Sequence, residues 1–169
     1  MRFLSFACAF SVCLAAFGID DAVSFVKSLE RFRGNTYRDA GGRRTIGYGN
    51  TSAAMVGKGH VGVVEAYQSV VAECNRIAGL LRKEFGGTLL KHEEIALVSF
   101  VYNVGWTRFC RSRMFRLLKA GHRGRKVADE FGRWVYFTRW GRKFKSKGLR
   151  IRRQAEAEMF MGGRVPVFA

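Results

Sequence analysis

The sequence predicts an α+β fold, a small β-hairpin lobe joined to a larger helical lobe, and three observations carry that prediction. Apolar residues recur at helical spacing on both sides of one short β-prone stretch. That stretch, "NTYRDAGGRRTIGYG" at 35–49, is punctuated by glycines, and everything after about residue 62 reads as helical. Of the 169 residues 48% are apolar and 14% aromatic, which suffices for one substantial core and excludes a disordered chain.

The elements follow from the N-terminus. Arg2 precedes "FLSFACAFSVCLAAFGI", seventeen uncharged residues, and the acidic pair Asp20-Asp21 comes next. Small residues at Ala16 and Gly18 suit a signal peptidase, so residues 1–18 read as an export leader cleaved after Gly18 or retained as a signal anchor. As a helix the run would reach about 26 Å, slightly short of a bilayer core. Ala22, Phe25, Val26 and Leu29 then define an amphipathic helix, with Asp20 or Asp21 as N-cap and Gly34 beyond its end. Glu30 falls in or just after its last turn. Thr36–Arg38 and Arg44–Tyr48 flank Asp-Ala-Gly-Gly and form a hairpin, with Thr45 opposite Arg38 and diagonal to Asp39.

Residues 51–62, with three glycines, read as an irregular connection. Val64, Tyr67, Val71, Cys74, Ala78, Leu81 and Phe85 then step by three and four, as one long helix or two broken near Gly79. "EEIALVSFVYNVG" is apolar nearly all round and marks a buried central helix ended by Gly105. Ser112 caps a short helix that stops at Gly121, and "VADEFGRWVYF" and "IRRQAEAEMFM" supply two more. The hairpin lobe thus spans about 33–62 and the helical lobe about 63–165 of a single domain at 19–169.

The net charge is +17, and its placement is informative. Between Arg108 and Arg153 seventeen Lys or Arg face only two acids, Asp129 and Glu130, so the basic field belongs to the C-terminal half and draws polyanions. The cysteines show no C-x-x-C: Cys8 and Cys13 lie in the leader, Cys74 and Cys110 in the body, where both a thiol pair and a disulfide stay open after export. His60, His92 and His122 lack ligand spacing, so no metal site is read from them.

Glu30 at a helix end and Asp39 at a hairpin edge can face one another across a cleft. Glycosidic cleavage needs such a pair, one carboxyl donating a proton and the other, ionised, activating water or attacking the sugar. The Thr45 hydroxyl can share a water with Asp39, and the glycines at 47 and 49 let the backbone pass close to a ligand. Taken singly, Asp39 is also a turn former, Glu30 a solvated helix residue and Thr45 a strand former. Spacing alone leaves a glycosidase as one reading among several.

Residues 30–51 resemble the active-site signature of the phage-type lysozymes, glycoside hydrolase family 24. Glu30, Asp39 and Thr45 stand at its spacing, and "TIGYG" at 45–49 is intact. "SFVYNVGWTRF" at 99–109, "RLLKAG" at 116–121, "FGRWVY" at 131–136 and "GLRIRRQAEAEMF" at 148–160 are similar to further family segments. The resemblance implies a lysozyme-like fold with the cleft between the lobes. It also implies a muramidase cutting the β-1,4 bond between N-acetylmuramic acid and N-acetylglucosamine in peptidoglycan. Glu30 would be the general acid, Asp39 and Thr45 would hold the attacking water with inversion, and no metal or cofactor would be needed. Tyr48, Asn50, Asn103 and Arg152 are candidate substrate-binding residues by the same likeness. For Arg152 or Arg153, an ion pair with Glu30 and a solvated basic face both fit.

The chain departs from the family at Arg31, usually glycine, and at Asn50, usually histidine. Ser112-Arg113 replaces Ser-Thr, the usual helix start near 61–73 is lost, and "TRWGRKFKSKG" at 138–148 is far more basic. No cysteine lies near Glu30 or Asp39, so the thiol switch of signal-anchor-release relatives does not carry over. The expected protein is an exported, monomeric enzyme of the periplasm or cell exterior. Its partner is peptidoglycan, with the inner membrane as a second partner through the leader and no specific nucleic acid. Two alternatives stand beside it: a cationic membrane- or polyanion-binding protein acting through residues 108–153, and a lytic transglycosylase using Glu30 alone.

Overall fold

The computed structural model describes the backbone of residues 10–163 and the side chains of 19–163, so of the leader at 1–18 only the helical backbone of 10–18 is described. Helix α1 (Phe10–Leu29) runs through Asp20 and Asp21, which are therefore not its N-cap. An alanine-bearing run already in helical geometry propagates more cheaply than a new helix nucleates. Asp21 instead pairs with Lys91 at 2.6 Å, tying α1 to the start of α4 (Lys91–Val104). Ala22, Phe25 and Val26 are buried as their spacing requires. Among the described residues no helix is long and apolar enough to cross a membrane.

Strands β1 (Arg33–Arg38) and β2 (Arg44–Gly47) form the expected hairpin. The Asp39 amide donates to the Arg43 carbonyl at 2.9 Å and the Gly42 amide to the Asp39 carbonyl at 2.9 Å, with Gly42 at φ +86°. This loop, a tight turn followed by a left-handed glycine, sets the register. It pairs Tyr37 with Thr45 and Arg38 with Arg44, one step from the expected partner of Thr45. Tyr37, Asp39, Arg43 and Thr45 consequently share one face, because side chains alternate along a strand. Residues 51–62 are not wholly irregular. Ser52 accepts the Met55 amide and starts α2 (Ala53–Gly57), whose Val56 packs with Ile46, Val61 and Ala66 under the hairpin.

Helix α3 (Val63–Phe85) is continuous through Gly79 and ends at left-handed Gly86. Its buried row is Ala66, Val70, Cys74, Ile77, Ala78, Leu81 and Phe85, so the expected N-terminal stripe is corrected: Val64 and Tyr67 face solvent. Small Ala66 is turned inward because Gly47 lies against it, where an added Cβ would come 3.0 Å from the Ala66 Cβ. Gly47 thus serves helix packing rather than ligand approach.

Helix α4 is buried along its middle, Ile95 to Val101, and packs on α1, α3 and α8 (Lys147–Phe160). Gly105 ends it, α5 (Trp106–Cys110) follows, and Ser112 caps α6 (Arg113–Lys119) by accepting the Phe115 amide at 3.0 Å. The expected helix over 127–137 does not form. Helix α7 (Arg125–Ala128) gives way to a 3-10 turn at Phe131–Arg133 and then to a second hairpin, β3 (Tyr136–Arg139) with β4 (Arg142–Lys145). Its two-residue turn puts Trp140 at φ +49° and Gly141 at φ +73°, the primed turn whose twist matches a hairpin. No inward-outward alternation of burial marks these strands, which is why periodicity missed them.

Candidate active site

The end of α1, one face of the first hairpin and the C-terminal end of α4 enclose a cleft of about 360 Å³. Glu30, Asp39 and Thr45 all line it, together with Tyr37, Arg43 and Tyr102. Asp39 does two things. Its Oδ1 accepts the Arg43 amide at 2.8 Å and closes the turn, while the residue still faces the cleft. Thr45 is buried and donates its hydroxyl to the Arg43 carbonyl at 3.0 Å. A neighbouring groove of about 490 Å³ shares Arg43, Gly49, Thr51, Glu73 and Tyr102 with the cleft and extends it past Asn50.

Glu30 sits just beyond the last turn of α1, where the chain leaves the helix, and Gly49 packs directly on its carboxyl. An added Cβ at Gly49 would come 3.2 Å from Glu30 Oε2, and φ there is +86°. The positive φ favours glycine, and the tight approach adds to that preference. From below, Arg152 donates Nη1 to Glu30 Oε1. Its Nε donates to Glu156 at 2.9 Å and its Nη2 to the Ser99 carbonyl at 3.1 Å, so the guanidinium has no rotational freedom left. Glu156 is fully buried, accepts the Ser99 hydroxyl at 2.8 Å and faces Arg153 Nη1 at 2.8 Å. That last contact is an ion pair without hydrogen-bond alignment.

Two guanidiniums and two carboxylates therefore form one buried cluster. Burial alone would lower the Arg152 pKa, yet the charges of Glu30 and Glu156 hold it above its ordinary value. Arg153 is pushed down to about 10 by burial, its Nε lacks a partner, and its guanidinium lies 4.9 Å from the Phe100 ring centroid. Burial, and secondarily the Glu30 charge, raises the Tyr102 phenol, which stays protonated and donates to the Tyr48 carbonyl at 2.7 Å. Tyr37 is raised by the same two causes.

Of the other candidate residues, Asn103 lines the cleft and accepts from Arg153. Asn50 lines the neighbouring groove, donates to the Ser69 hydroxyl at 2.6 Å and accepts the Ser52 amide at 2.8 Å. Arg152 is buried behind Glu30, which removes the solvated-face alternative for it and for Arg153. The Tyr48 ring does not line the cleft; it packs on Phe32 at 5.4 Å, and only its carbonyl serves the site. Sequence reading missed Tyr102, Glu73, Ser99 and Glu156. Glu156 carried a signal, an acid on the face of α8 that also carries Arg152 and Arg153. Cys74 and Cys110 are free thiols, Cys74 buried and pushed up to about 12 by that burial. Among the described residues no cluster of His, Cys, Asp or Glu could hold a metal ion.

The chain is similar to known proteins along most of its length. The family model described as Phage lysozyme matches residues 27–156. The endolysin of Acyrthosiphon pisum secondary endosymbiont phage 1 is 30% identical over 136 residues, 80% of this chain and 91% of that protein. The SAR-endolysin of Pseudomonas phage phiKMV is also 30% identical over 136 residues, 80% of this chain and 82% of its own length. Among solved structures, the endolysin from Escherichia coli O157:H7 phage FAHEc1 superposes with a TM-score of 0.73 at 26% identity, covering 86% of this chain and 94% of that one.

Proposed function

The chain belongs to the phage lysozyme family, and on that premise we propose how its cleft works. The protein is a glycoside hydrolase that breaks the β-1,4 bond between N-acetylmuramic acid and N-acetylglucosamine in bacterial peptidoglycan. Glu30 is assigned as the general acid, giving its proton to the leaving glycosidic oxygen. Asp39 and Thr45, diagonal across the hairpin ladder, hold a water on the opposite face of the sugar. The carboxylate takes that water's proton as its oxygen attacks the anomeric carbon, which inverts the centre. As Glu30 loses its proton, the new negative charge meets Arg152, already oriented by Glu156 and Ser99 and needing no reorganisation. Gly49 keeps the acid's rotamer, and the adjoining groove past Asn50 receives the sugars beyond the scissile bond.

The observation that carries the assignment is the convergence of Glu30, Asp39 and Thr45 on one cleft from a helix end, a hairpin turn and strand β2. Turbidity loss of purified peptidoglycan tests it. Glu30→Gln and Asp39→Asn should each lower the rate by about 10²–10⁴-fold with the circular dichroism spectrum unchanged, the usual worth of a positioned acid or base. Equal lysis by both variants and wild type would refute the roles. Reducing muramic ends in the products support hydrolysis, whereas anhydro ends would assign a transglycosylase.

We also assign residues 1–18 as an export leader and 19–169 as a monomeric catalytic domain that reaches the wall in the periplasm or outside the cell. The sequence of residues 3–19 supports export, and retention in the inner membrane before release is part of the same proposal. N-terminal sequencing of the protein from its native compartment checks both statements.

A further inference from the structure

The β3–β4 hairpin contributes almost nothing to the core: every residue from Tyr136 to Lys145 except Phe137 is exposed. Trp140, at the tip, is 81% exposed, with Tyr136 at 53% and Phe144 at 40%. No Asp or Glu occurs between Phe131 and Ala155, and Arg139, Arg142 and Lys143 have no acidic partner among the described residues. The Arg139 guanidinium instead lies 4.2 Å from the Trp140 ring centroid. Phe137 and Phe144 stack across the strands at 5.7 Å, on the face that also carries Arg139 and Arg142.

The turn chemistry sharpens the case. A two-residue turn with φ above zero at both positions favours Asn-Gly, and a tryptophan at φ +49° is strained. That strain is not repaid by burial, since the ring stands in solvent. Tryptophan at this position therefore costs stability that no contact within the described residues recovers beyond the Arg139 guanidinium.

We propose that this hairpin is a docking surface for an anionic lipid bilayer. Trp140 enters the headgroup layer while Arg139, Arg142 and Lys143 meet the lipid phosphates. A bilayer interface accepts aromatic rings and cations together, at one depth. A hydrated anionic polymer would neutralise the cations but leave the tryptophan tip and the phenylalanine pair wet. The apolar run at 3–19 is expected to bring the chain to such a surface in the first place. The Thr138 carbonyl lies beside Gly41, 3.6 Å from where a Cβ would stand, so docking holds the Asp39 turn next to the lipid surface. This inference does not depend on the catalytic roles, because none of its residues is assigned to the cleft.

The test uses the full chain and vesicles of neutral phosphatidylcholine with or without phosphatidylglycerol, some carrying brominated acyl chains. Every variant shares the same N-terminus, so differences report the hairpin. Bromolipid should quench wild-type tryptophan emission in the anionic vesicles, and Trp140→Phe should remove most of that quenching. The triple change Arg139→Gln, Arg142→Gln, Lys143→Gln should weaken binding to anionic vesicles on the order of a hundredfold, as three surface cations are worth. Lys83→Gln, Arg111→Gln, Arg116→Gln, an equal loss of charge from exposed sites elsewhere, should weaken it less than tenfold. Hydrolysis of soluble glycan fragments should be the same in all of them. Unchanged quenching in Trp140→Phe, or equal losses in the two triple variants, overturns the proposal. So does a hairpin variant that binds lipid normally but loses purified sacculi or DNA, or one that loses activity on soluble fragments.

Discussion

Glu156→Gln tests the buried charge cluster more severely than any change in the cleft itself. The carboxylate is fully buried and takes Arg152 Nε at 2.9 Å, Ser99 Oγ at 2.8 Å and Arg153 Nη1 at 2.8 Å. Glutamine keeps the shape but removes the charge, and its amide nitrogen must face at least one donor. Two buried guanidiniums are then left with Glu30 as their only carboxylate partner in the cluster. Removing one partner of a buried pair costs about 3–5 kcal/mol. For a domain of this size that lowers Tm by about 6–20 °C. Urea and thermal unfolding followed by circular dichroism would measure it. The charge balance also fixes the sign of a second change. Arg153→Met should cost less in the Glu156→Gln background than in wild type, with a coupling of about 1–3 kcal/mol. Glu156→Gln within about 1 kcal/mol of wild type, or strictly additive effects of the two changes, would refute the idea that charge balance holds this cluster.

Three other outcomes follow from the same geometry. Gly49→Ala and Gly42→Ala both force alanine to φ +86°, at a cost of about 1–2 kcal/mol each. Only Gly49→Ala also crowds the Glu30 carboxyl, which must then give by a few tenths of an ångström, so turbidity assays should find it slower than Gly42→Ala at the same folded fraction. Cys74 has a folded pKa of about 12 against an ordinary 9.0. A raised folded pKa contributes stability that is whole below about pH 9 and is lost as pH rises towards 12. The gap between wild type and Cys74→Ala in urea unfolding should therefore narrow by about 1.4 kcal/mol per pH unit above pH 9. Tyr102→Phe leaves the Tyr48 carbonyl without its donor. It should cost about 1–2 kcal/mol and lower kcat more than it raises KM, because the "TIGYG" segment that seats Glu30 loosens.

Much of the molecule was legible in local sequence. The stripe of Ala22, Phe25 and Val26, the largely apolar middle of α4 and the Ser112 cap each follow from a pattern shorter than a dozen residues, and each forms. The first hairpin was legible for a similar reason: Asp-Ala-Gly-Gly is a turn in any context. The second was not, because its strands stand free in solvent and carry no alternation of burial. The stripe at the start of α3 was misplaced because two apolar rows compete there. Contact with the Gly47 backbone decides between them, and nothing in α3 itself reports it.

The sequence by itself determined the fold class and where an acid, a second acid and a hydroxyl stand along one helix end and one hairpin. Helix and strand periods and turn chemistry act over a few residues, so a linear reading captures them. Tertiary structure alone decided what surrounds those groups. Arg152 reaches Glu30 from 122 positions away, Tyr102 holds the Tyr48 carbonyl from 54, and Glu156 meets Ser99 from 57. Such contacts depend on which faces of α4 and α8 pack together, and that is settled by the shape of the whole core rather than by any segment of it.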